Sequence, residues 1–368
     1  MIKVKKLFNF LKNNKIEFFS GVPDSILKET SSILEKKNKY KHLIGANEGV
    51  AASICIGYHL SSGKVPCLYL QNSGIGNAIN PLISIAHKKV YSIPMLMLIG
   101  WRGAPGQKDE PQHVVKGLIT KKILESLDIN YCVLNNNKDF KKLKKLIFVS
   151  KKNKKPVACL VKKNTFFSDF KKKKILKKSG VLRENFLRIL LSLIRKNSRL
   201  VSTTGYTSRE LNQIRGNKKY KNGRDFYMVG GMGHASSVAL GLSILKKNQQ
   251  VICIDGDGSL IMHLGSLANI GYYASRNYKH IILNNSSHES VGGQKTNVEK
   301  INFSKVSKGL GYKNFYKIDR NNQIQKKIKK FLKSTGPSFL EVKISEGTMK
   351  NLKRPRNLSE IKKFFMAK

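Results

Sequence analysis

Acidic residues are scarce in this chain of 368 residues: 22 aspartates and glutamates face 70 lysines and arginines, for a formal charge of +48. Long apolar runs are missing as well. None reaches the length of a membrane span, and no cleavable signal is expected ahead of the first helix. The five cysteines (Cys55, Cys67, Cys132, Cys159, Cys253) lie scattered in apolar runs and never at CxxC spacing. That argues against a disulfide framework or a cysteine zinc site and predicts buried thiols in a reducing cytoplasm. Arginine is rare too, 12 of the 70 basic residues, the other 58 being lysine. Base readout and bidentate phosphate contacts favour arginine, and these lysines spread over most segments without forming one stripe. A specific nucleic-acid partner is therefore not expected, although adsorption to polyanions at low salt is.

The few acids that are present fall in telling places. Asp24, Glu48, Asp109, Glu110, Glu210, Asp255, Asp257 and Glu289 all lie in junctions that contain glycine or proline. Around them the chain alternates in period. Ile2 to Asn13 reads as a helix, Glu17 to Phe19 as a strand, and Asp24 to Lys36 as a helix with Asp24 as its N-cap. His42 to Gly45, Val65 to Leu70, Ile93 to Ile99, Tyr131 to Leu134 and Val157 to Val161 read as strands, with helical segments such as Glu48 to Leu60 and Asn77 to His87 between them. Lys162 to Gly180 has no period and a dense positive run, which predicts a linker. The alternation then resumes with the helix Arg183 to Lys196 and the strands Leu200 to Thr203 and Phe226 to Val229. A helix after Asn321 and a strand Phe339 to Ile344 close the chain. Such alternation predicts two α/β domains, each a doubly wound parallel sheet with helices on both faces, and no middle domain. The expected boundaries are 1–163, a basic linker 164–180, and 181–368.

One constellation carries more chemistry than the others. Val251 to Ile254 reads as a buried strand ending in Gly256-Asp257-Gly258-Ser259. Ser259 to Tyr273 has helical spacing, and His280 to Leu283 is a second buried strand ending in Asn284-Asn285. A strand–helix–strand crossover of normal hand brings the ends of two parallel strands together. Asp257 and Asn285 would then share the mouth of an α/β crevice, beside glycine N–H groups. Two such oxygen ligands suit a divalent cation holding a diphosphate. Alone, Gly-Asp-Gly is only a common turn. Three further junctions repeat the arrangement. Glu48 follows a strand and opens a helix of small residues; Gln71-Asn72-Ser73-Gly74-Ile75-Gly76-Asn77 follows another strand, where its N–H groups could hold an anion or a substrate carboxylate; Gly230-Gly231-Met232-Gly233-His234 follows a third.

Gly256-Asp257-Gly258 followed after a helix and strand by Asn284-Asn285 resembles the cofactor signature of thiamine diphosphate enzymes. Ser20-Gly21-Val22-Pro23-Asp24-Ser25, Gly100-Trp101-Arg102-Gly103, Asp109-Glu110-Pro111-Gln112-His113, Thr203-Thr204-Gly205, Ser208-Arg209-Glu210-Leu211 and Gly292-Gly293-Gln294 narrow this. Together they resemble the phosphonopyruvate decarboxylase family, which is related to the sulfopyruvate decarboxylases. The chain departs from that family's pattern at Ile75, Ala104, Gln107 and within Asn284 to Glu289.

The resemblance implies the thiamine diphosphate-binding fold, with a pyrimidine-binding domain first and a diphosphate-binding domain second. It implies thiamine diphosphate and Mg2+ as cofactors, and decarboxylation of 3-phosphonopyruvate to phosphonoacetaldehyde and CO2 as a step of phosphonate biosynthesis. Glu48 would hydrogen-bond the aminopyrimidine. Asp257, Asn285 and the carbonyl of Ser287 would bind the metal. Thr204, Gly205, Gly230, Met232, Gly256, Gly258 and Ser259 would line the cofactor, with Met232 as a wedge beneath it. His113 and His288 are the expected proton donors, or are structural. Asp24, Asn72 and Ser73 are expected near the substrate, while Arg102 either holds the phosphonate or pairs with Asp109 or Glu110. The resemblance also implies a homo-oligomer, at least a dimer, with sites between chains. Sulfopyruvate decarboxylation, acetolactate-type carboligation and, from another class, a lysine-rich polyanion-binding protein stand as alternatives.

Overall fold

Short apolar runs bounded by polar or glycine junctions become strands buried on both faces, the pattern of a parallel sheet covered by helices. The structure, a computed structural model, describes residues 1–38, 41–168, 180–220, 223–320 and 322–367. The chain divides into two compact units, Met1–Lys173 with His288–Gln294, and Lys174–Ser287 with Lys295–Lys368.

In the first unit the strands are β1 (Ile2–Lys3), β2 (Phe19–Gly21), β3 (His42–Ile44), β4 (Cys67–Gln71), β5 (Met95–Gly100), β6 (Asn130–Leu134), β7 (Pro156–Val161) and β8 (Phe166–Phe167). Six of them form one parallel sheet in the order β3-β2-β4-β5-β7-β6, and β1 pairs with β8. Two separate apolar clusters, one around Leu7, Leu98 and Val161 and one around Ala52, Leu70 and Met97, form its core. The helix Glu48–Ser62 starts where Asn47 Oδ1 accepts from Val50 N at 2.9 Å, and ends at Gly63, whose φ is 65°.

The second unit contains β9 (Arg199–Ser202), β10 (Arg224–Tyr227), β11 (Val251–Gly256), β12 (Tyr278–Asn284), β13 (Asn314–Ile318) and β14 (Ser338–Lys343). All pair in parallel, in the order β10-β9-β11-β12-β14-β13. Strands β11 and β12 are direct neighbours, with Gly256 opposite Leu283, as the crossover argument requires. The helix Leu358–Met366 covers the edge strand β10: the Phe365 ring lies 5.7 Å from Phe226, and Arg199 and Arg224 both donate to the Ala367 carbonyl.

Four expectations need correction. No helix begins at Asp24; the segment makes a 3-10 turn at Lys28–Thr30 and one short helix at Ser31–Leu34. The hydroxyls of Thr30, Ser31 and Ser32 bond back to the carbonyls of Leu27, Lys28 and Glu29, which favours tight turns over a regular helix. The expected helix Ser259 to Tyr273 is two helices, Asp257–Met262 and Ser266–Tyr273, broken at His263, where φ is −135° and ψ is 49°. The first helix loses its opening residues to β1, because Ile2 N bonds the Thr165 carbonyl and draws Ile2–Lys3 into pairing with β8. For the same reason the first unit extends beyond 163, and Phe166–Phe167 is strand where linker was expected; the rest of that expected linker, 169–179, lies outside the described residues.

Candidate active site

In a parallel α/β sheet, the loops after the strands gather at one end. In the first unit that end carries the loops after β2, β3, β4 and β5. Glu48 follows β3 and is buried. Its Oε2 accepts from Asn77 Nδ2 at 2.7 Å. A Cβ added at Gly74 would lie 2.1 Å from Glu48 Oε1, so the carboxyl is seated directly on that glycine. The Gly74 turn and the Glu48 helix are therefore one construction, and a larger residue at 74 would displace the Glu48 side chain.

Asp24 follows β2 and is equally buried. Its Oδ2 accepts from Ile26 N at 3.0 Å and Leu27 N at 3.1 Å, while Oδ1 is buried without a partner among the described residues. Burial pushes its pKa up to about 6, against the pull of the Leu27 N–H and the Arg102 charge. This carboxyl too sits on a glycine: a Cβ at Gly100 would meet Asp24 Oδ2 at 1.8 Å.

Arg102 follows β5. Its Nε donates to Asp109 Oδ2 at 2.7 Å, its Nη2 donates to Asp109 Oδ1, and its Nη1 donates to Ser25 Oγ at 3.1 Å. Burial alone would raise the Asp109 pKa, but the bonds from Arg102, Glu110 N and Gly103 N outweigh it and hold the carboxyl below its ordinary range. The pairing of Arg102 with Asp109 is thus present, and three of the five guanidinium N–H groups are used by it and Ser25. Asn72 spends both amide hydrogens inside the unit, on the Arg102 carbonyl and Thr120 Oγ1, each at 2.9 Å. It organises the loop. Ser73 Oγ accepts from Gln71 Nε2 at 2.7 Å. His113 lies half-buried on the helix Pro111–Ser126.

In the second unit, Ser259 joins three separate loops. Its hydroxyl accepts from Thr203 Oγ1 and from Gly233 N, both at 2.9 Å. The loop after β9 (Thr203 to Gly205), the loop after β10 (Gly230 to Gly233) and the turn after β11 are thereby tied together. Met232 stands between Gly231 and Gly233, at φ of 62° and 93°. Those left-handed positions suit glycine and set the projection of Met232. Gly205, at φ 98°, caps the helix Tyr206–Arg215 beside the half-buried Thr204.

Asp257 is buried, and its Oδ2 accepts from Thr296 Oγ1 at 2.7 Å. Burial pushes its pKa up to about 6, with the Thr296 hydroxyl pulling the other way. Asn284 is held by Glu341 through a 2.8 Å bond from Nδ2, which leaves Asn285 as the outward member of the pair. Asn285 Oδ1 accepts from Ser287 N at 3.1 Å. The buried Ser287 Oγ has no partner among the described residues. Carboxylate, carboxamide and backbone carbonyl are hard oxygen donors, the set that Mg2+ prefers. The residues present therefore fit a magnesium diphosphate. His288 is buried, which lowers its pKa to about 4 and keeps the ring neutral near pH 7. Cys253, Asp255 and His280 also bring ligand atoms within 4.8 Å of one another. They are fully buried in β11 and β12, with His280 Nε2 facing Asp255 Oδ2 at 3.8 Å and His280 Nδ1 at 2.8 Å from the Tyr312 hydroxyl. This is a polar cluster inside the sheet and shares no residue with the Asp257 group.

Sequence reasoning did not single out Asn77 as the partner of Glu48, or Thr296 as the partner of Asp257. Asn77 closes the glycine turn already noted. Thr296 lies 39 residues from Asp257, and only folding relates them.

Comparison with known proteins matches both halves of the chain to one family of enzymes. Residues 4–124 match the thiamine pyrophosphate enzyme N-terminal TPP binding domain, and residues 203–342 match the corresponding C-terminal TPP binding domain. The chain is 30% identical over 357 residues to a phosphonopyruvate decarboxylase of Streptomyces viridochromogenes, covering 92% of this chain and 87% of that protein. It is 27% identical to a sulfopyruvate decarboxylase of Methanosarcina acetivorans, covering 98% of this chain and 96% of that protein. It is also 45% identical over 113 residues to a sulfopyruvate decarboxylase subunit beta of Methanocaldococcus jannaschii, covering 30% of this chain and 57% of that subunit.

Proposed function

The chain belongs to the thiamine pyrophosphate enzymes, in the family of the phosphonopyruvate and sulfopyruvate decarboxylases, and from that premise we propose that it decarboxylates 3-phosphonopyruvate to phosphonoacetaldehyde and CO2. Bound thiamine diphosphate supplies an electron sink for the pair left when CO2 departs. The chain supplies positions, charges and protons. Glu48 would hydrogen-bond the pyrimidine of the bound cofactor and hold or release the proton there. Asp257, Asn285 and the Ser287 carbonyl hold Mg2+ against the diphosphate. Gly256, Gly258, Ser259, Thr204 and Gly205 would line the cofactor, the Gly230 carbonyl would accept from its amino group, and Met232 would support it.

Burial raises the Asp24 pKa to about 6, so the carboxyl exchanges its proton nearer neutrality than an ordinary aspartate, and one oxygen has no partner among the described residues. Asp24 is our first choice to return a proton to the substrate carbon. His113 is the second. His288, kept neutral by burial, serves better as a hydrogen-bond donor than as a cationic acid. Arg102, held in place by Asp109, has N–H groups left for the phosphonate, with Ser73 beside the substrate carboxylate.

The working assembly in this reading is a homo-oligomer, at least a dimer, in which Glu48 of one chain and Asp257 of another serve one cofactor. A cytoplasmic location belongs to the same reading; among the described residues no helix is long and apolar enough to cross a membrane.

The observation that carries the proposal is the seat of Glu48: a buried carboxyl at the mouth of the first sheet, bonded to Asn77 and fitted to Gly74. The test is turnover of phosphonopyruvate, sulfopyruvate and pyruvate by the purified chain, with and without thiamine diphosphate and Mg2+. The highest kcat/KM is expected on phosphonopyruvate, with complete dependence on both cofactors. A clear preference for sulfopyruvate would reassign the head group. No CO2 from any of the three, with cofactor bound, would end the decarboxylase reading.

A further inference from the structure

We infer that Thr296 is a positioning residue that ties the two arms of the metal site to each other; this rests on the reading of Asp257 and Asn285 as metal-holding groups. Thr296 is 1% exposed and is bonded in two directions. Its hydroxyl donates to Asp257 Oδ2 at 2.7 Å, and its backbone N–H donates to the Ser286 carbonyl at 3.2 Å. Ser286 takes a left-handed φ of 57°, Ser287 faces Lys295 in an antiparallel bridge, and Ser287 N bonds Asn285 Oδ1. One residue therefore grips the carboxylate that follows β11 and the loop that follows β12.

The physical consequence is directional. A carboxylate with one oxygen held by a short hydroxyl bond does not turn freely about its Cβ–Cγ bond. The other oxygen then keeps one aim. The backbone bond to Ser286 meanwhile fixes the turn that presents Asn285 and the Ser287 carbonyl. Outer partners of this type typically contribute about 10–100-fold to metal affinity. Valine at 296 keeps the shape and the backbone bond but removes the hydroxyl, whereas serine keeps the hydroxyl.

The test compares Thr296→Val, Thr296→Ala, Thr296→Ser and Asp257→Ala with the unaltered chain. Two quantities are read: the Kd for Mg2+ at saturating thiamine diphosphate, by calorimetric titration, and the rise in melting temperature when both are added. Thr296→Val and Thr296→Ala should weaken Mg2+ by about 10–100-fold and shrink the rise, while Thr296→Ser should stay within about threefold of the unaltered chain. An unchanged Kd and rise in Thr296→Val or Thr296→Ala, beside an Asp257→Ala chain that has lost both, would overturn the role of Thr296. A lower melting temperature without cofactor, with the rise intact, would mark a structural role only and overturn it equally. Should valine prevent folding, alanine and serine decide by the same criteria. Asp257→Ala with undiminished Mg2+ affinity would overturn the metal-site reading itself, and the inference with it.

Discussion

The two units are built on one plan and equipped differently. With β1 set aside, the sheet orders β3-β2-β4-β5-β7-β6 and β10-β9-β11-β12-β14-β13 have the same connectivity. Four strands in corresponding positions end in loops that carry site residues in each unit. In the first, Asp24 follows β2, Glu48 follows β3, the Gly74 turn follows β4 and Arg102 follows β5. In the second, Thr204 follows β9, Met232 follows β10, Asp257 follows β11 and Asn285 follows β12. The carboxyls of the first unit are pressed onto glycines, where a Cβ at Gly74 or Gly100 would push the acid aside. The carboxyl of the second is held by the Thr296 hydroxyl. The glycine seats bring the two carboxyls of the first unit directly against the backbone, where Asn77 holds Glu48 and the N–H groups of Ile26 and Leu27 hold Asp24. A hydroxyl tether fixes an anionic oxygen and suits a metal. In the proposed function one scaffold supports a proton-handling mouth and a metal-holding mouth, and the two differ in what touches each acid.

The largest effect should come from Glu48→Gln. The amide keeps the shape and cannot exchange the proton, so kcat should fall about 10²–10⁴-fold, with cofactor affinity nearly unchanged by calorimetry. Near-normal turnover would remove the distinction between the mouths. Asp257→Ala should act on the other side, weakening Mg2+-dependent cofactor binding by roughly 100-fold or more. Mixing these two chains tests the assembly: verified heterodimers should regain activity at one shared site, and no recovery would count against a site between chains. Gly74→Ala should cut turnover by tens of fold or about 100-fold in a folded protein, because the new methyl displaces the Glu48 carboxyl. Full activity in that variant would show that the carboxyl is not held where the structure has it.

Arg102→Lys should cost less, about tenfold or under in kcat/KM, since an ammonium replaces a fork already bound to Asp109. The loss should be larger on phosphonopyruvate than on pyruvate; equal losses would assign Arg102 to loop shape alone. The smallest effect concerns stability. Asp24 binds its proton more tightly when folded, at about 6 against 3.8, so native stability falls as pH rises through that window and is constant above it. An Asp24→Asn chain carries no titrating group at that position and escapes this loss. The melting-temperature difference between that variant and the unaltered chain, both without cofactor, should therefore grow in favour of the variant between about pH 4 and pH 7, by about 2–4 °C. A flat difference would mean that the carboxyl is not desolvated.

The double α/β plan was legible because parallel strands are buried on both faces and stand out as apolar runs. Edge strand β13 was not, since Asn314–Ile318 is only partly covered and its pattern is weak. Glu48 and Asp257 were legible as residues at strand–helix junctions, and Asn285 as a residue at a strand end. Their partners were not: Asn77 and Thr296 are ordinary polar residues until the fold brings them to a carboxyl. Asp24 was expected to cap a helix; it accepts from Ile26 N and Leu27 N, but that helix gives way to hydroxyl-bonded turns. The Arg102–Asp109 pair was open as an alternative, because seven residues of loop can close on themselves.

The C-terminal helix has a consequence for the fate of the chain in solution. Leu358–Met366 packs Phe365 against Phe226 of β10, the strand at the edge of its sheet. Uncovered strand edges recruit one another. A chain shortened before Leu358 keeps every proposed active-site residue and bares Phe226 beside that edge. Its first defect should be precipitation during expression, increasing with concentration, so that a lost yield would be mistaken for a lost activity.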